Sequence, residues 1–176
     1  KFNNHNLVRT ELRGKYLWEI PNTNRWTRSL GGQAGWISNT MADSFFHFFA
    51  GGMPGLKGYP FYSLEGTNMA IGEVGLRIPL FREKHIPIGW FTLQHSTIGL
   101  IGQMGDAWNR DHSDFKVKRS SGIEWRMSGA SFYNYPTSIG FEYHRGLDTF
   151  EMDIGDGNPI QYGHENRIYF TVLFGF

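Results

Sequence analysis

The sequence predicts an all-β fold, and within that class an antiparallel transmembrane β-barrel of about eight strands. Three observations lead to this prediction. Polar and apolar residues alternate with period two over runs longer than most soluble strands. The 176 residues include 23 Gly, 15 Phe, 8 Tyr and 6 Trp, yet the mean hydropathy is only −0.40. Short and long connections alternate along the chain, which is typical of outer-membrane barrels.

The first run, residues 7–20, shows the alternation most clearly. It is fourteen residues long, whereas a transmembrane strand needs about 9–11 residues. One face carries Val8, Thr10, Leu12, Gly14, Tyr16, Trp18 and Ile20, and the other carries Arg9, Glu11, Arg13, Lys15 and Glu19.

Later runs repeat this pattern with different strength. Strong alternation occurs at 68–80, 120–127, 137–146 and 167–176, and weaker alternation at 30–40, 44–52 and 91–106. Residues 38–43, 82–87 and 131–136 are predicted as short turns. Residues 21–29, 53–67, 107–116 and 150–165 are predicted as long loops.

Composition restricts the other classes of protein. The length suits a single unit, residues 1–176, and the net charge of +1 does not favour nucleic-acid binding. The absence of cysteine excludes disulfides, thiolate metal sites and cysteine nucleophiles. No run has the roughly 18–20 apolar residues of a transmembrane helix. Because "KFNNHNL" lacks a signal-peptide pattern, we expect the chain to be an excerpt of a longer protein.

A soluble β-sandwich or lipocalin-like barrel is the main alternative fold, because it also alternates. Its core would have to bury the charged face of these strands or expose most of the aromatic residues. That charged face includes Glu73, Arg77, Glu124, Arg126, Glu142 and His144. The alternation therefore favours a membrane barrel with a polar lumen.

Several motifs, in this order, resemble a known family. They are "GLKGYPFYSLEGTNMAIGEVGLRIPL", "IGLIGQMGDAW", "SSGIEWRMSGASFYNYPTSIGFEYHRGL" and a last strand ending in Phe. Together they resemble the C-terminal half of the bacterial surface-antigen outer-membrane barrels, which include the barrel-assembly factor, the translocation-and-assembly factor and two-partner secretion transporters. The resemblance covers residues 44–176, with 7–40 as two preceding strands, and implies the last eight strands of a sixteen-stranded barrel.

The resemblance also implies a loop that folds into the lumen. In the family an Arg-Gly-aromatic tip meets acidic residues of the wall; here the tip is Leu56, Lys57, Gly58 and Tyr59, within loop 53–67. The expected wall partners are Glu73, Gln103 (where Asp is usual) and Gly105. We therefore expect a Lys57–Glu73 pair with Gln103 accepting a second hydrogen bond. The alternative is a solvent-exposed loop whose aromatic residues pack locally.

The last strand matches the C-terminal assembly signal of the family through Phe170, Val172, Phe174 and Phe176. These side chains also suit a plain lipid-facing role.

No catalytic or metal-binding pattern is present in the sequence. The histidines lack His-x-His or His-x-x-x-His spacing, and residues 153–159 lack the glutamate that closes a calcium loop. There is no Gly-x-Ser-x-Gly elbow and no phosphate-binding P-loop. Trp26, Trp90 and Trp108 are interpreted as interfacial anchors. We expect no enzyme activity, no cofactor and no metal.

The resemblance implies a bacterial outer-membrane protein that assembles, inserts or translocates other polypeptides. Its partners would be the bilayer, polypeptide clients and periplasmic or lipoprotein components, with no nucleic acid. Two alternatives stay open. The barrel would anchor or export an upstream domain, such as a patatin-like lipase or a propeller, or these strands would close alone into a small eight-stranded pore.

Overall fold

The computed structural model describes residues 7–38, 43–109, 115–132, 134–152 and 159–175. Within these ranges β-strands predominate, and turns and bends make up most of the connections. The strands are β1 (Arg9–Glu19), β2 (Thr27–Ile37), β3 (Phe48–Phe49), β4 (Glu65–Gly66), β5 (Asn68–Phe81), β6 (Ile86–Ile88), β7 (Phe91–Trp108), β8 (Lys118–Ser131), β9 (Tyr135–Gly146), β10 (Phe150–Met152), β11 (Ile160–Tyr162) and β12 (Asn166–Phe174), with one 3₁₀ turn at Ser44–Phe46.

One antiparallel sheet dominates the structure, which confirms the all-β prediction. Its order is β1-β2-β5-β7-β8-β9-β12, and short β6 pairs with β7 as the eighth strand. Strands β3–β4 and β10–β11 form two small sheets in the connections. Among the described residues, β1 pairs only with β2 and β12 only with β9, so the sheet stays open. The hypothesis that this chain alone closes an eight-stranded pore is therefore wrong for this structure.

The predicted strand at 44–52 is also wrong. Asp43 caps a 3₁₀ turn there, since its Oδ1 accepts a hydrogen bond from the Phe45 amide at 3.0 Å. Only Phe48–Phe49 is extended, and it pairs with Glu65–Gly66 inside the connection rather than in the main sheet. A local side-chain cap has overridden the apolar run that suggested a strand.

The connections differ between the two ends of the sheet. At one end β1 joins β2, β5 joins β7 and β8 joins β9 through 20–26, 82–90 and 132–134. At the other end the links are 38–67, 109–117 and 147–165. The links 38–67 and 147–165 are longer than every link at the first end, and 109–117 is as long as 82–90. Residues 38–43 therefore belong to a long connection, although the sequence predicted a short turn. No helix in the described ranges is long and apolar enough to cross a membrane.

The two faces of the sheet have opposite polarity. On the inner face, where loop 53–67 lies, the side chains of Gln103, Glu124, Glu142 and His144 are buried. Between its charged ends, the outer face exposes aromatic and aliphatic side chains. They are Leu12, Tyr16, Trp18, Leu30, Trp36, Val74, Leu80, Ile98, Leu100, Met104, Ile123, Trp125, Phe141, Tyr143, Ile168, Phe170 and Phe174.

The apolar core is small and lies between loop 53–67 and the sheet. It consists of Ile37, Phe48, Ala50, Leu56, Tyr59, Leu64, Met69, Ile71 and Ala107. Five of these nine residues come from the 38–67 connection, so burial of that connection is what creates the core. The loop is therefore an integral part of the fold.

This core predicts that Phe48→Ala destabilises the protein by about 3–5 kcal/mol, because a buried aromatic leaves a cavity. Phe45→Ala is the control, since Phe45 is 81% exposed and its loss should cost within about 0.5 kcal/mol. Urea unfolding followed by tryptophan fluorescence measures both. Equal effects of the two substitutions would contradict the assignment of this core.

Candidate functional site

The tip of loop 53–67 is buried against the inner face of the sheet. Leu56 and Tyr59 have no solvent exposure, and the tip touches β7, β8, β9 and β12 through hydrogen bonds. In the structure the tip thus lies against the sheet, on the face that carries the charged side chains. A loop exposed to solvent, the alternative interpretation, is not what the structure shows for the tip.

Lys57 makes the central ionic contact of the tip. Its Nζ donates to Glu142 Oε2 on β9. Both side chains are mostly buried, at 15% and 9% exposure. Glu142 also contacts His144 Nε2 at 3.1 Å and Arg126 Nη2 at 3.5 Å. A buried carboxylate needs such partners, because an unpaired charge at low dielectric is costly.

The expected Lys57–Glu73 pair is not formed. Glu73 accepts from Lys15 Nζ at 2.8 Å and from Gln103 Nε2 at 3.0 Å. The register explains this, since Lys15 pairs with Gly31, and Gly31 pairs with Glu73. The glycine between them lets the two long side chains meet, so Glu73 is already neutralised from β1. The Lys57 amine reaches β9 instead.

Gln103 holds the backbone of the loop rather than the lysine side chain. Its Oε1 accepts from the Lys57 amide at 3.0 Å, and its Nε2 donates to the Gly55 carbonyl at 3.0 Å. Ser120 Oγ donates to the same Oε1 at 3.1 Å. A carboxylate at this position has no N–H to donate to Gly55. The amide is therefore suited to this contact. The sequence predicted that Gln103 accepts a hydrogen bond from the Lys57 side chain, but in the structure it accepts one from the Lys57 backbone amide.

The two glycines of the predicted site have different roles. A Cβ on Gly58 would lie 2.6 Å from Gly146 N and 2.7 Å from Ser120 Cβ, so only glycine lets the tip approach β8 and β9 this closely. Gly105 does not touch the tip. It pairs with Ile71 and Lys118, and a Cβ there would lie 2.8 Å from Ile71 Cα, so it permits close packing of β5 and β7.

Tyr59 fastens the tip to the β9–β10 connection. Its hydroxyl accepts from the Asp148 amide at 3.0 Å and lies 2.9 Å from the Arg119 carbonyl, to which it can donate. Burial raises the pKa of Tyr59, so the phenol stays protonated and can donate. Hydrogen bonding to Arg119 lowers the pKa of Asp148. The Arg119 Nη2 lies 2.8 Å from Asp148 Oδ1.

Three contacts of the tip were not predicted from the sequence. They are Glu142, the Arg119–Asp148 pair and Tyr169, whose hydroxyl donates to the Lys57 carbonyl at 2.9 Å. Glu142 and Tyr169 lie on the charged and polar faces of their strands, so the alternation places them inward. Nothing in the sequence shows which inward residues the tip reaches.

The C-terminal residues Phe170, Val172 and Phe174 lie together on the outer face of β12, away from the loop. Phe170 packs on Phe141 with ring centroids 4.9 Å apart. Phe176 lies outside the described residues. Their role as an assembly signal stays a prediction.

The contacts of the tip form a mechanical link between the loop and the sheet. The tip contacts strands β7, β8, β9 and β12, which are distant from it in sequence. The Lys57 amine is paired with the Glu142 carboxylate. In the part of the chain that the structure describes, no group of three His, Cys, Asp or Glu side chains is placed to hold a metal ion.

A double-mutant cycle tests which carboxylate holds Lys57. Lys57→Ala should destabilise the protein by about 1.5–3 kcal/mol, because it removes a charged hydrogen bond from a buried acid. Its coupling with Glu142→Gln should exceed about 1 kcal/mol, while its coupling with Glu73→Gln should stay within about 0.5 kcal/mol. Urea unfolding of the five variants and the parent measures this. Stronger coupling to Glu73 would contradict the structure.

The phenol of Tyr59 gives a second test. Tyr59→Phe should cost about 1–3 kcal/mol, because the Asp148 amide loses its acceptor. Tyr62→Phe is the matched control. Because Tyr62 is 67% exposed, removal of its hydroxyl should lower the free energy of unfolding by less than about 0.5 kcal/mol. Cleavage by chymotrypsin near Phe61 should also speed up in Tyr59→Phe alone. Equal behaviour of both variants would contradict the hydroxyl contact.

Comparisons with protein-family models, with curated proteins and with solved structures find no match to this chain. The functional inference therefore depends on the residues of the two faces, the open edges and the loop.

Proposed function

We propose that this chain forms part of the wall of a bacterial outer-membrane β-barrel that assembles, inserts or translocates other polypeptides. The observation that carries the membrane assignment is the reversed polarity of the sheet. Glu124 is 1% exposed on the inner face, whereas Leu100 and Ile123 on the outer face are about half exposed. A soluble sheet would bury the apolar face, because water exposure of so much apolar surface is unfavourable.

The charged residues of the outer face support the same proposal. Arg28 is the second residue of β2, Arg119 is the second residue of β8, and Arg145 is next to the end of β9. Asp106 lies near the end of β7, where Lys116 and Lys118 cover it. The middle of the outer face is thus free of charge in the described strands. That distribution matches an apolar band with polar borders.

The two open edges support a larger barrel. β1 and β12 each present a row of unpaired N–H and C=O groups among the described residues. In a bilayer such groups must be satisfied by further strands, because the hydrocarbon offers no hydrogen bonds. The resemblance in sequence suggests sixteen strands in all, with these as the C-terminal half.

The proposed activity uses an edge strand as a template. An incoming polypeptide would pair with the free groups of the edge and enter the membrane as a strand. The loop tip would keep the wall in shape during this step, since it links β7, β8, β9 and β12. The chain itself would perform no covalent chemistry.

Insertion into vesicles tests the membrane assignment. In this test two copies can satisfy each other's β1 and β12 edges, so the chain should fold from urea into phosphatidylcholine vesicles and float with them in a density gradient. Leu30→Arg, on the outer face of β2, should lower the stability of the inserted form by about 2–4 kcal/mol. Gln33→Arg, on the inner face of the same strand, is the matched control and should cost less than about 1 kcal/mol.

Equal costs for these two substitutions, or a chain that stays in the aqueous phase, would contradict the membrane assignment. Assembly activity is tested separately with a second, unfolded outer-membrane barrel as the client. Vesicles that contain the protein should fold this client faster than vesicles that contain an unrelated barrel. An unchanged rate would contradict assembly activity and favour an anchor or pore.

A further inference from the structure

A polar cavity of about 190 Å³ lies between the loop and the inner face of the sheet. Strands β1, β2, β5, β7 and β8 form its wall, and the loop closes it at Pro54, Gly55 and Lys57. More cationic than acidic side chains line this cavity. The cations are Arg13, Lys15, Lys57, Arg77 and Arg126, and the lining carboxylates are Glu73 and Glu124.

Each carboxylate at this cavity is already paired. Glu73 accepts from Lys15, and Glu124 accepts from Arg77 Nε and from Arg126 Nε. The adjoining Glu142 accepts a hydrogen bond from the Lys57 amine. Glu11, which precedes Arg13 by two residues on the same face of β1, does not line the cavity and accepts from Gln33 Nε2 at 2.8 Å. No carboxylate of the lining is therefore left to neutralise a further cation.

Two cations therefore remain in excess. Arg13 has no ion pair or side-chain hydrogen bond within the residues that the structure describes. Arg126 divides its guanidinium between Glu124 at 3.2 Å and Glu142 at 3.5 Å, and 42% of its side chain stays exposed. Both arginines line the same cavity, so the excess positive charge is local.

We infer that this cavity binds an oxyanion, carried by a free phosphate or by an acidic side chain of a peptide. A guanidinium presents its N–H groups in a planar fork that matches phosphate and carboxylate oxygens. The walls strengthen this attraction, because a cavity of low effective dielectric screens charge less than water does. The polar lining disfavours an acyl chain. The inference does not depend on the proposed assembly activity.

Calorimetry on the full chain, folded in zwitterionic detergent micelles, tests the site. The probes are inorganic phosphate, a capped tri-glutamate peptide and a capped tri-glutamine peptide. We expect at least one anionic probe to bind with a Kd on the order of 1 mM or lower, and the glutamine peptide not to bind. Binding of phosphate alone, or of the glutamate peptide alone, identifies the natural carrier of the oxyanion.

Two substitutions separate the cavity from general charge effects. Arg13→Gln should weaken binding about tenfold, because it removes one charged fork. Arg28→Gln removes the same charge from the outer face and should change Kd by less than about twofold. A loss of equal size in both variants would overturn the site.

Absence of binding for both anionic probes would also overturn the inference. If Arg13→Gln then lowers the unfolding temperature more than Arg28→Gln does, Arg13 stabilises the fold and does not bind an anion. Neither result affects vesicle insertion, so failure of this inference is distinguishable from failure of the proposed function.

Discussion

The contact between Lys57 and Glu142 is the interaction on which the rest of this structure depends. It joins a loop that leaves β2 to a strand 85 positions further along the chain. Around it, Gln103 holds the loop backbone, Tyr59 ties the tip to Asp148, and Tyr169 donates to the Lys57 carbonyl. A buried amine must find a carboxylate, so the tip can be placed only where the wall supplies one.

This contact also explains why the fold has a core at all. The charged inner face of the sheet has only a few apolar side chains, such as Met69, Ile71 and Ala107, and without the connection nothing would cover them. The 38–67 connection supplies Phe48, Ala50, Leu56, Tyr59 and Leu64, which pack against Met69 and Ile71 of β5. Loss of the ionic contact would therefore loosen apolar packing as well as charge pairing, because both depend on the position of the loop.

The reversed polarity of the sheet connects this internal network to the proposed membrane setting. Buried charges on one face require pairing, and exposed aromatic residues on the other face require an apolar surrounding. Both requirements are met together by a polar lumen and a lipid exterior. The charges that line the polar cavity do not balance, since cations outnumber carboxylates there, and this imbalance is the basis of the proposed affinity for oxyanions.

The sequence by itself determined the long strands of the main sheet and their two faces, because period-two alternation is a local property that the pleat imposes. The alternation placed Glu73, Glu142 and His144 on the polar face and Phe170 and Phe174 on the apolar face, and the resemblance in sequence indicated Gln103 and the Leu56–Tyr59 tip. Only the tertiary structure decided the partners. Lys57 meets Glu142 rather than Glu73 because Lys15 reaches Glu73 across Gly31, a consequence of strand register. Register and loop path depend on contacts distant in sequence, which local patterns do not encode.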